Sequence, residues 1–418
     1  MMCNYTMKIK IKKKNIKYLP IIIFFLAECR LFYLISLPTI LVSGSTNKIL
    51  VAITSVIFFV LYVVKKRKLQ IGYFGKEVFL IIITTSISAI LSSFRFGYSE
   101  TQIAWGIIPY LMLLLYFPAR LYLKDKFTME RFIVIGEICT IIMAVLFLYQ
   151  YSKYIGLNSV FLKFQNIIPD RYIWNPYLGM RVRNIFDGFD RVFVLIVVYR
   201  IVKKKFKKCK LDIFSYIAII ASILVIDQSR SYIVIVLIST MVILVYYIKR
   251  HISISYFIVV SIAILGALNT IAFKLSSIFS SIADNTGSWF ARIEASAHFL
   301  KLGFENFIFG IGTLDPEQIP AAYTYVRGNE GIYYADDVGL FGLFGLFGIM
   351  GLILYILILV KIYNCSKYAA NNKPLLMGIF LCMLLSSILS SYFDRTRLLT
   401  LLLSMVVCEL NRKNNGVN

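Results

Sequence analysis

Residues 338–363 read VGLFGLFGLFGIMGLILYILILVKIY, with Lys361 as the single charge. The run exceeds the roughly 20 apolar residues that carry a helix across a bilayer. Inside lipid every backbone N–H and C=O needs an internal partner, so the run is read as a helix and not as a lone strand. Glycine recurs at 339, 342, 345, 348 and 351. A step of three residues drifts by about 60° on a helix of 3.6 residues per turn, so these glycines wind around the helix instead of forming one stripe. They imply close packing on several sides or a local break.

Comparable runs fill the rest of the chain. Of its 418 residues 59% are hydrophobic and 16% charged, where an ordinary soluble domain is about 25% charged. The mean hydropathy is +0.77. The pattern predicts an all-α polytopic membrane protein, one transmembrane domain over 1–418, with about twelve transmembrane helices. They fall at 18–42, 48–64, 77–93, 103–123, 132–152, 186–202, 211–227, 232–248, 254–273, 338–363, 374–391 and 395–410. The lysines from Lys8 to Lys17 followed by an apolar stretch resemble a signal peptide, but no small-residue cleavage site follows, so the first span is read as uncleaved. The seven cysteines form no C-x-x-C pair and only His251 and His298 offer imidazole. Neither a disulfide framework nor a metal site is indicated, and no cofactor is expected.

A net charge of +24 suggests nucleic-acid binding in a soluble protein, but here the charges sit between apolar spans and nucleic acid is not an expected partner. Lysine and arginine are held on the cytoplasmic side during insertion. Counting from a cytoplasmic N-terminus, every lysine cluster falls inside: Lys8 to Lys17, Lys65 to Lys68, Lys124 and Lys126, Lys203 to Lys210, Lys249, Lys361 to Lys373 and Lys413. Both termini are therefore placed in the cytoplasm. About 23 of the 28 lysines lie inside, yet about 10 of the 17 arginines lie outside: Arg95, Arg171, Arg181, Arg183, Arg191, Arg230, Arg292, Arg327, Arg395 and Arg397. A guanidinium offers a rigid fork of donors suited to phosphate or carboxylate. The external arginines either hold an anionic substrate or meet lipid headgroups and the nearby Asp170, Asp187, Asp190 and Asp394. The abundance of Ile, Lys, Tyr, Phe and Asn points to an AT-rich coding bias, as in a low-GC bacterium.

Two external loops are long, 153–185 and 274–337, and loops of this length are usually functional or disordered. The second is rich in aromatics and is expected to fold, with an amphipathic helix over Ser288 to Phe304 lying on the membrane surface and the chemistry in this loop. Three constellations stand out. Asp227-Gln228-Ser229-Arg230-Ser231 enters the eighth span, as a tight turn or as an arginine set where a lipid-linked phosphate lies. Arg292 runs through an aromatic stretch into Gly310-Ile311-Gly312, glycines that allow positive φ and can present amides to an anion. Tyr333-Tyr334-Ala335-Asp336-Asp337 leads into the glycine-rich helix, with the carboxylates as helix caps or as a general base. Glu28 and Arg30, near the middle of the first span, face a substrate crevice or form a buried ion pair.

At these residues the chain resembles the Wzy-type O-antigen and capsular polysaccharide polymerases, within the superfamily that includes the O-antigen ligases. The resemblance rests on Ser229-Arg230-Ser231 entering a helix, Arg292 running into Gly310-Ile311-Gly312, and Asp337-Val338-Gly339 entering a glycine-rich helix, and it covers about 227–363. It implies a helical glycosyltransferase of the GT-C type in the bacterial cytoplasmic membrane. Such an enzyme polymerises undecaprenyl-diphosphate-linked oligosaccharide repeats at the outer face, with inversion and without metal or nucleotide sugar. A chain-length regulator and a flippase are the implied partners besides membrane lipid. On this reading Arg292, Asp336 and Asp337 are catalytic, and Arg230, Arg292, Arg181, Arg183, Gly310 and Gly312 bind the diphosphate and glycan. Ligases of the superfamily are expected to carry a histidine where this chain has Tyr-Tyr-Ala-Asp-Asp, which favours a polymerase. The alternatives are a ligase-type glycan transferase, or a polysaccharide flippase or other secondary transporter, although no paired repeat is visible.

Overall fold

The structure is a computed structural model that describes residues 24–25, 46–67, 69–154, 172–175, 179–182, 189–204, 207, 209–223, 230–251, 287–313, 319–328, 331–369, 372–395 and 397–412. Its first helices are α1 (Thr46–Lys66), α2 (Gly75–Phe96) and α3 (Glu100–Ile107), which continues through a 3-10 segment (Ile108–Leu115) into α4 (Tyr116–Tyr122). There follow α5 (Lys126–Tyr154), a ribbon of β1 (Tyr172–Asn175) and β2 (Gly179–Val182), α6 (Phe189–Lys203), α7 (Lys210–Ala221) and α8 (Arg230–His251). The last third holds α9 (Gly287–Glu305), α10 (Pro320–Arg327), a 3-10 turn (Ala335–Asp337), α11 (Gly339–Tyr368), α12 (Lys373–Ser386) and α13 (Leu398–Asn411).

A helix stands at every expected span except 18–42 and 254–273, which lie outside the described residues apart from Phe24 and Phe25. Among the described residues four helices are long and apolar enough to cross a membrane, at Ile49–Lys66, Gly75–Phe96, Glu100–Tyr122 and Gly339–Tyr368. Tyr232–Tyr247, Lys373–Ser386 and Leu398–Asn411 are apolar but shorter. The last two fall short because residues 387–395, read as almost continuous span, are mostly turns. The fold is helical with one addition to the expected all-α class: β1 and β2 pair antiparallel in register Tyr172 to Val182 and Ile173 to Arg181.

The long helices turn apolar side chains outward as well as inward. Ile53, Ile57, Val60, Leu61 and Val64 on α1, and Ile353, Ile356, Leu357 and Val360 on α11, are exposed. Such contiguous exposed apolar surface is what a helix presents to lipid. Hydroxyls inside the bundle turn back onto their own helix, as Ser55 does to the Val51 carbonyl at 2.7 Å and Ser404 to Thr400 at 2.8 Å, which removes an unpaired donor from an apolar setting.

Two sets of polar contacts mark opposite ends of the bundle. At one end Lys361, late in α11, pairs with Glu77, early in α2, at 2.6 Å, and Arg120 pairs with Glu409 at 2.9 Å. Arg200 and Lys204 pair with the buried Asp212 there, at 2.8 and 2.7 Å. The other end gathers the starts of α6, α8, α11 and α13, the end of α12, and Arg95, Arg191, Arg327, Arg395 and Arg397.

α11 is broken at Gly348, where φ is +62° and ψ −160°. The break is closed by residues 307–312: Ile349 and Met350 donate to the carbonyls of Phe307 and Ile308, while Ile311 and Gly312 donate to those of Gly345 and Leu346. Irregular backbone survives inside a membrane protein only where such partners are supplied. The winding glycines produce both packing and break. A Cβ would meet the Ser387 carbonyl at Gly339, Ala335 at Gly342, Phe299 of α9 at Gly345, and the 307–308 backbone at Gly348.

Candidate functional site

α9 packs on α11, Phe299 against Gly345 and Gly303 against Phe344. The helix expected over Ser288 to Phe304 is therefore present as α9, and one face of it is spent on the glycine-rich helix. Gly303, eleven residues beyond Arg292, serves this close approach. Arg292 lies on the same stripe, seven residues before Phe299 and half-buried, because positions three and four apart share a helix face. α9 also packs on the 3-10 turn of Asp336 and Asp337.

Asp336 and Asp337 precede the helix without capping it, since α11 has no side-chain cap. Both are open to solvent. The 387–397 segment is held beside them, with Leu340 donating to the Ser387 carbonyl at 3.0 Å. It brings Asp394, Arg395 and Arg397 around Asp336. The Asp336 carboxyl is pushed up to about 7, first by the protein that crowds out its water, then by the Asp394 carboxylate, with Arg397 and Arg395 opposing and Asp337 adding to the rise. Arg397 is tied to Asp394 at 3.2 Å. Arg395, half-buried beside the same carboxylates, has no ion-pair partner within 4.0 Å among the described residues. Tyr110 adjoins this group and donates to the Phe393 carbonyl at 3.1 Å.

A second guanidinium stands nearby. Arg191 is 8% exposed, lies 4.2 Å over the Tyr232 ring near the start of α8, and donates to Ser390 at 3.3 Å. Its Nε has no hydrogen-bond partner. On the far side of α9, Arg327 stacks on Tyr334 at 4.0 Å, and His298 lies 3.2 Å from the carbonyls of Tyr325 and Val326.

The sequence-derived candidates distribute unevenly around this centre. Asp336 and Asp337 stand together in the 3-10 turn before α11, and Arg292 is half-buried on α9. Arg230 is the first residue of α8, two before the Tyr232 that carries Arg191, and the turn 224–229 ahead of it lies outside the described residues. Arg181 stands in β2 opposite Ile173; Arg183, Glu28 and Arg30 lie outside the described residues. Gly310 and Gly312 do adopt positive φ, +69° and +86°. Their amides, however, are committed to the carbonyls of Asn306 and Leu346, so the expected amide cradle for an anion gives way to a structural strap. Asp394, Arg395, Arg191 and Tyr110 were not picked out as site residues. Two of the four, Arg191 and Arg395, belong to the set of external arginines that the sequence singles out. Among the described residues no cluster of histidine, cysteine or carboxylate side chains has the makings of a metal site.

This is a helical membrane protein with a carboxylate and several guanidinium groups gathered at one end of its bundle. Residues 215–356, about a third of the chain, match the family model described as O-Antigen ligase. The matched segment runs from α7 through the break in α11 and so contains Arg230, Arg292, Asp336 and Asp337. It supports a place in the O-antigen ligase and polymerase superfamily. No curated protein matches the chain.

Proposed function

We propose that the protein is a polymerase of undecaprenyl-diphosphate-linked oligosaccharide repeats, working at the outer face of a bacterial cytoplasmic membrane. The observation that carries this reading is the gathering of Asp336 and Asp394 with Arg395 and Arg397 at the start of α11, the helix in which the segment matching the family model ends; the Asp336 carboxyl is also pushed up to about 7 there. A group that titrates near pH 7 is suited to accept a proton at that pH. Asp336 takes the proton of the acceptor hydroxyl as its oxygen bonds to the anomeric carbon. The bond from that carbon to the lipid diphosphate breaks on the opposite side, and the diphosphate leaves with the electron pair. Arg395, Arg292 and Arg230 meet the charge that grows on it, as preorganised donors do. No metal is required by this scheme, because the guanidinium groups supply the positive charge.

The ligase reading is favoured by the description of the matching family model. Against it stands the absence of a histidine between Tyr333 and Gly339 and the engagement of His298 with backbone carbonyls. Purified protein in nanodiscs with lipid-linked repeats decides between them. A ladder of products is expected. A single transfer onto a different glycolipid acceptor identifies a ligase, and no product with either acceptor defeats both readings. In the same assay Arg230→Ala and Arg292→Ala are expected to leave single repeats unextended. Lysine at either position restores little, because it lacks the planar fork.

A further inference from the structure

A cavity of about 310 Å³ lies between the end of α2 and the strap, bounded by Arg95, Asn306 and Gly310 and walled by Leu91, Ile308 and Ile311. It falls at the lower edge of the roughly 300–1,000 Å³ typical of ligand sites. Exposed apolar side chains lie beside these lining residues in the chain: Phe94 is 83% exposed and Phe307 50%, and Ile308 of the lining is 57% exposed. Arg95 is oriented at the polar end by Tyr325, whose ring it overlies at 5.6 Å and whose hydroxyl its Nη1 meets at 3.4 Å. That hydroxyl donates in turn to Glu305 at 2.8 Å. Arg95 has no ion-pair partner among the described residues, and no carboxylate lines the cavity.

A cation at the head of a cleft walled by Leu91, Ile308 and Ile311, beside exposed apolar side chains, fits a ligand with an anionic head and a hydrocarbon tail. We propose that this cleft binds the phosphate head of a polyprenyl diphosphate, as a holding site separate from the site at Asp336. The proposal rests on the polymerase reading for the choice of lipid. Transfer between two lipid-linked units needs two diphosphates bound at once, and only one of them leaves. The cleft has a guanidinium but no base, so it holds a head and performs no chemistry. The strap links the two places: Gly310 and Ile311 line the cleft, and Thr313, just beyond, adjoins Tyr110 beside Asp394.

The test uses the full chain in nanodiscs with a photoreactive short-chain polyprenyl diphosphate, mapping the label by mass spectrometry. Label is expected on peptides containing residues 91–95 and 306–311. Arg95→Gln is expected to lower it about tenfold, and Ile308→Trp, which fills the cleft, to lower it likewise with the thermal unfolding of both variants unchanged. In the transfer assay Arg95→Gln is expected to raise KM for the lipid-linked repeat about tenfold and to leave kcat within about twofold. Label elsewhere, label that survives both substitutions, or label displaced equally by phosphatidylglycerol overturns the proposal; the last outcome makes the cleft an ordinary phospholipid site. If the label behaves as expected but wild-type protein transfers no glycan, the transferase reading fails and the lipid site stands.

Discussion

The amide of Gly312 donates to the carbonyl of Leu346 at 2.9 Å, across the break that Gly348 opens in α11. With the Ile311 bond to Gly345, it fills carbonyls that the break leaves without their usual partners four residues on. The same strap is held from its other side by α2, where Ser88 donates to the Phe309 carbonyl and Ser92 to that of Ile311, both at 2.6 Å. Three segments far apart in the chain are thereby fixed to one another, and the start of α11 is presented to the site.

Gly348 is the most exacting position in this arrangement. Its φ and ψ lie in a region that is essentially glycine-only, and a Cβ would stand 2.6 Å from backbone atoms of Phe307 and Ile308. Gly348→Ala is expected to cost at least about 1–3 kcal/mol from the backbone alone. Gly97→Ala provides the comparison, because φ is +74° but a Cβ meets nothing within 4 Å; its cost is the left-handed strain only, about 1–2 kcal/mol. Thermal unfolding in detergent measures both, and equal losses would mean that the strap yields.

Asp336 gives a pH signature. The carboxyl of the folded protein is pushed up to about 7 from an ordinary 3.8. As the proposed base it must be ionised, so the transfer rate is expected to rise with pH up to about 7 and then level off. Asp394 contributes to the rise, so Asp394→Asn is expected to move the limb to lower pH. The effect on stability has the opposite sense. Between about 3.8 and 7 the folded form holds a proton that the unfolded form has lost, so this group's contribution falls as pH climbs through that window. Asp336→Asn is therefore expected to raise the unfolding temperature at pH 8 and to change it little at pH 4. A pH profile of activity with no limb near 7 would remove Asp336 from the role of base.

Hydropathy made the helices legible from sequence, because a bilayer penalises every alternative to a continuous apolar helix. The glycine run was legible as a statement about packing and fell short only on which neighbour each glycine meets. Gly310 and Gly312 show the limit most clearly. Their positive φ follows from local chemistry, but the fate of their amides depends on a helix break more than thirty residues further along, which no local pattern reports. Asp394 and Arg395 were hidden for a related reason: the short stretch between the last two spans has no motif, and its nearness to Asp336 comes from the return of α12 to the start of α11. Arginine placement against the insertion bias was the one signal in the sequence that pointed to them.

At the opposite end, Glu77 is buried and answers Lys361 at 2.6 Å, and Lys361 also donates to the Tyr73 carbonyl at 2.8 Å. Removing one partner of such a pair leaves the other charge stranded. Glu77→Ala is expected to cost on the order of 3 kcal/mol. Replacing both, as Glu77→Met with Lys361→Met, is expected to recover most of that loss. A double variant no better than the single one would show that the lysine earns its place through Tyr73 instead.

Arg395 and Arg397 are separated by one residue but are expected to differ in kind. Arg397 is bound to Asp394, and its amide also donates to the Asp394 carbonyl at 2.8 Å, so it builds the turn that holds the site. Arg395 has the same electrostatic neighbours and no ion-pair partner among the described residues, which leaves its fork available to an arriving anion. Losing one donor of a preorganised charge-stabilising set costs about 10²–10³ in rate. Arg395→Ala is therefore expected to lower kcat about a hundredfold with an unchanged unfolding temperature, and Arg395→Lys to recover less than about a tenth of the wild-type rate, since an ammonium cannot grip two oxygens in one plane. Arg397→Ala is expected to lower the unfolding temperature along with activity, because it removes the ion pair that closes the turn onto Asp394. Measuring unfolding and turnover on the same preparations separates the two roles. Should Arg395→Ala turn over like wild type, the diphosphate is met by other guanidinium groups, and Arg191, buried over Tyr232, becomes the next to substitute.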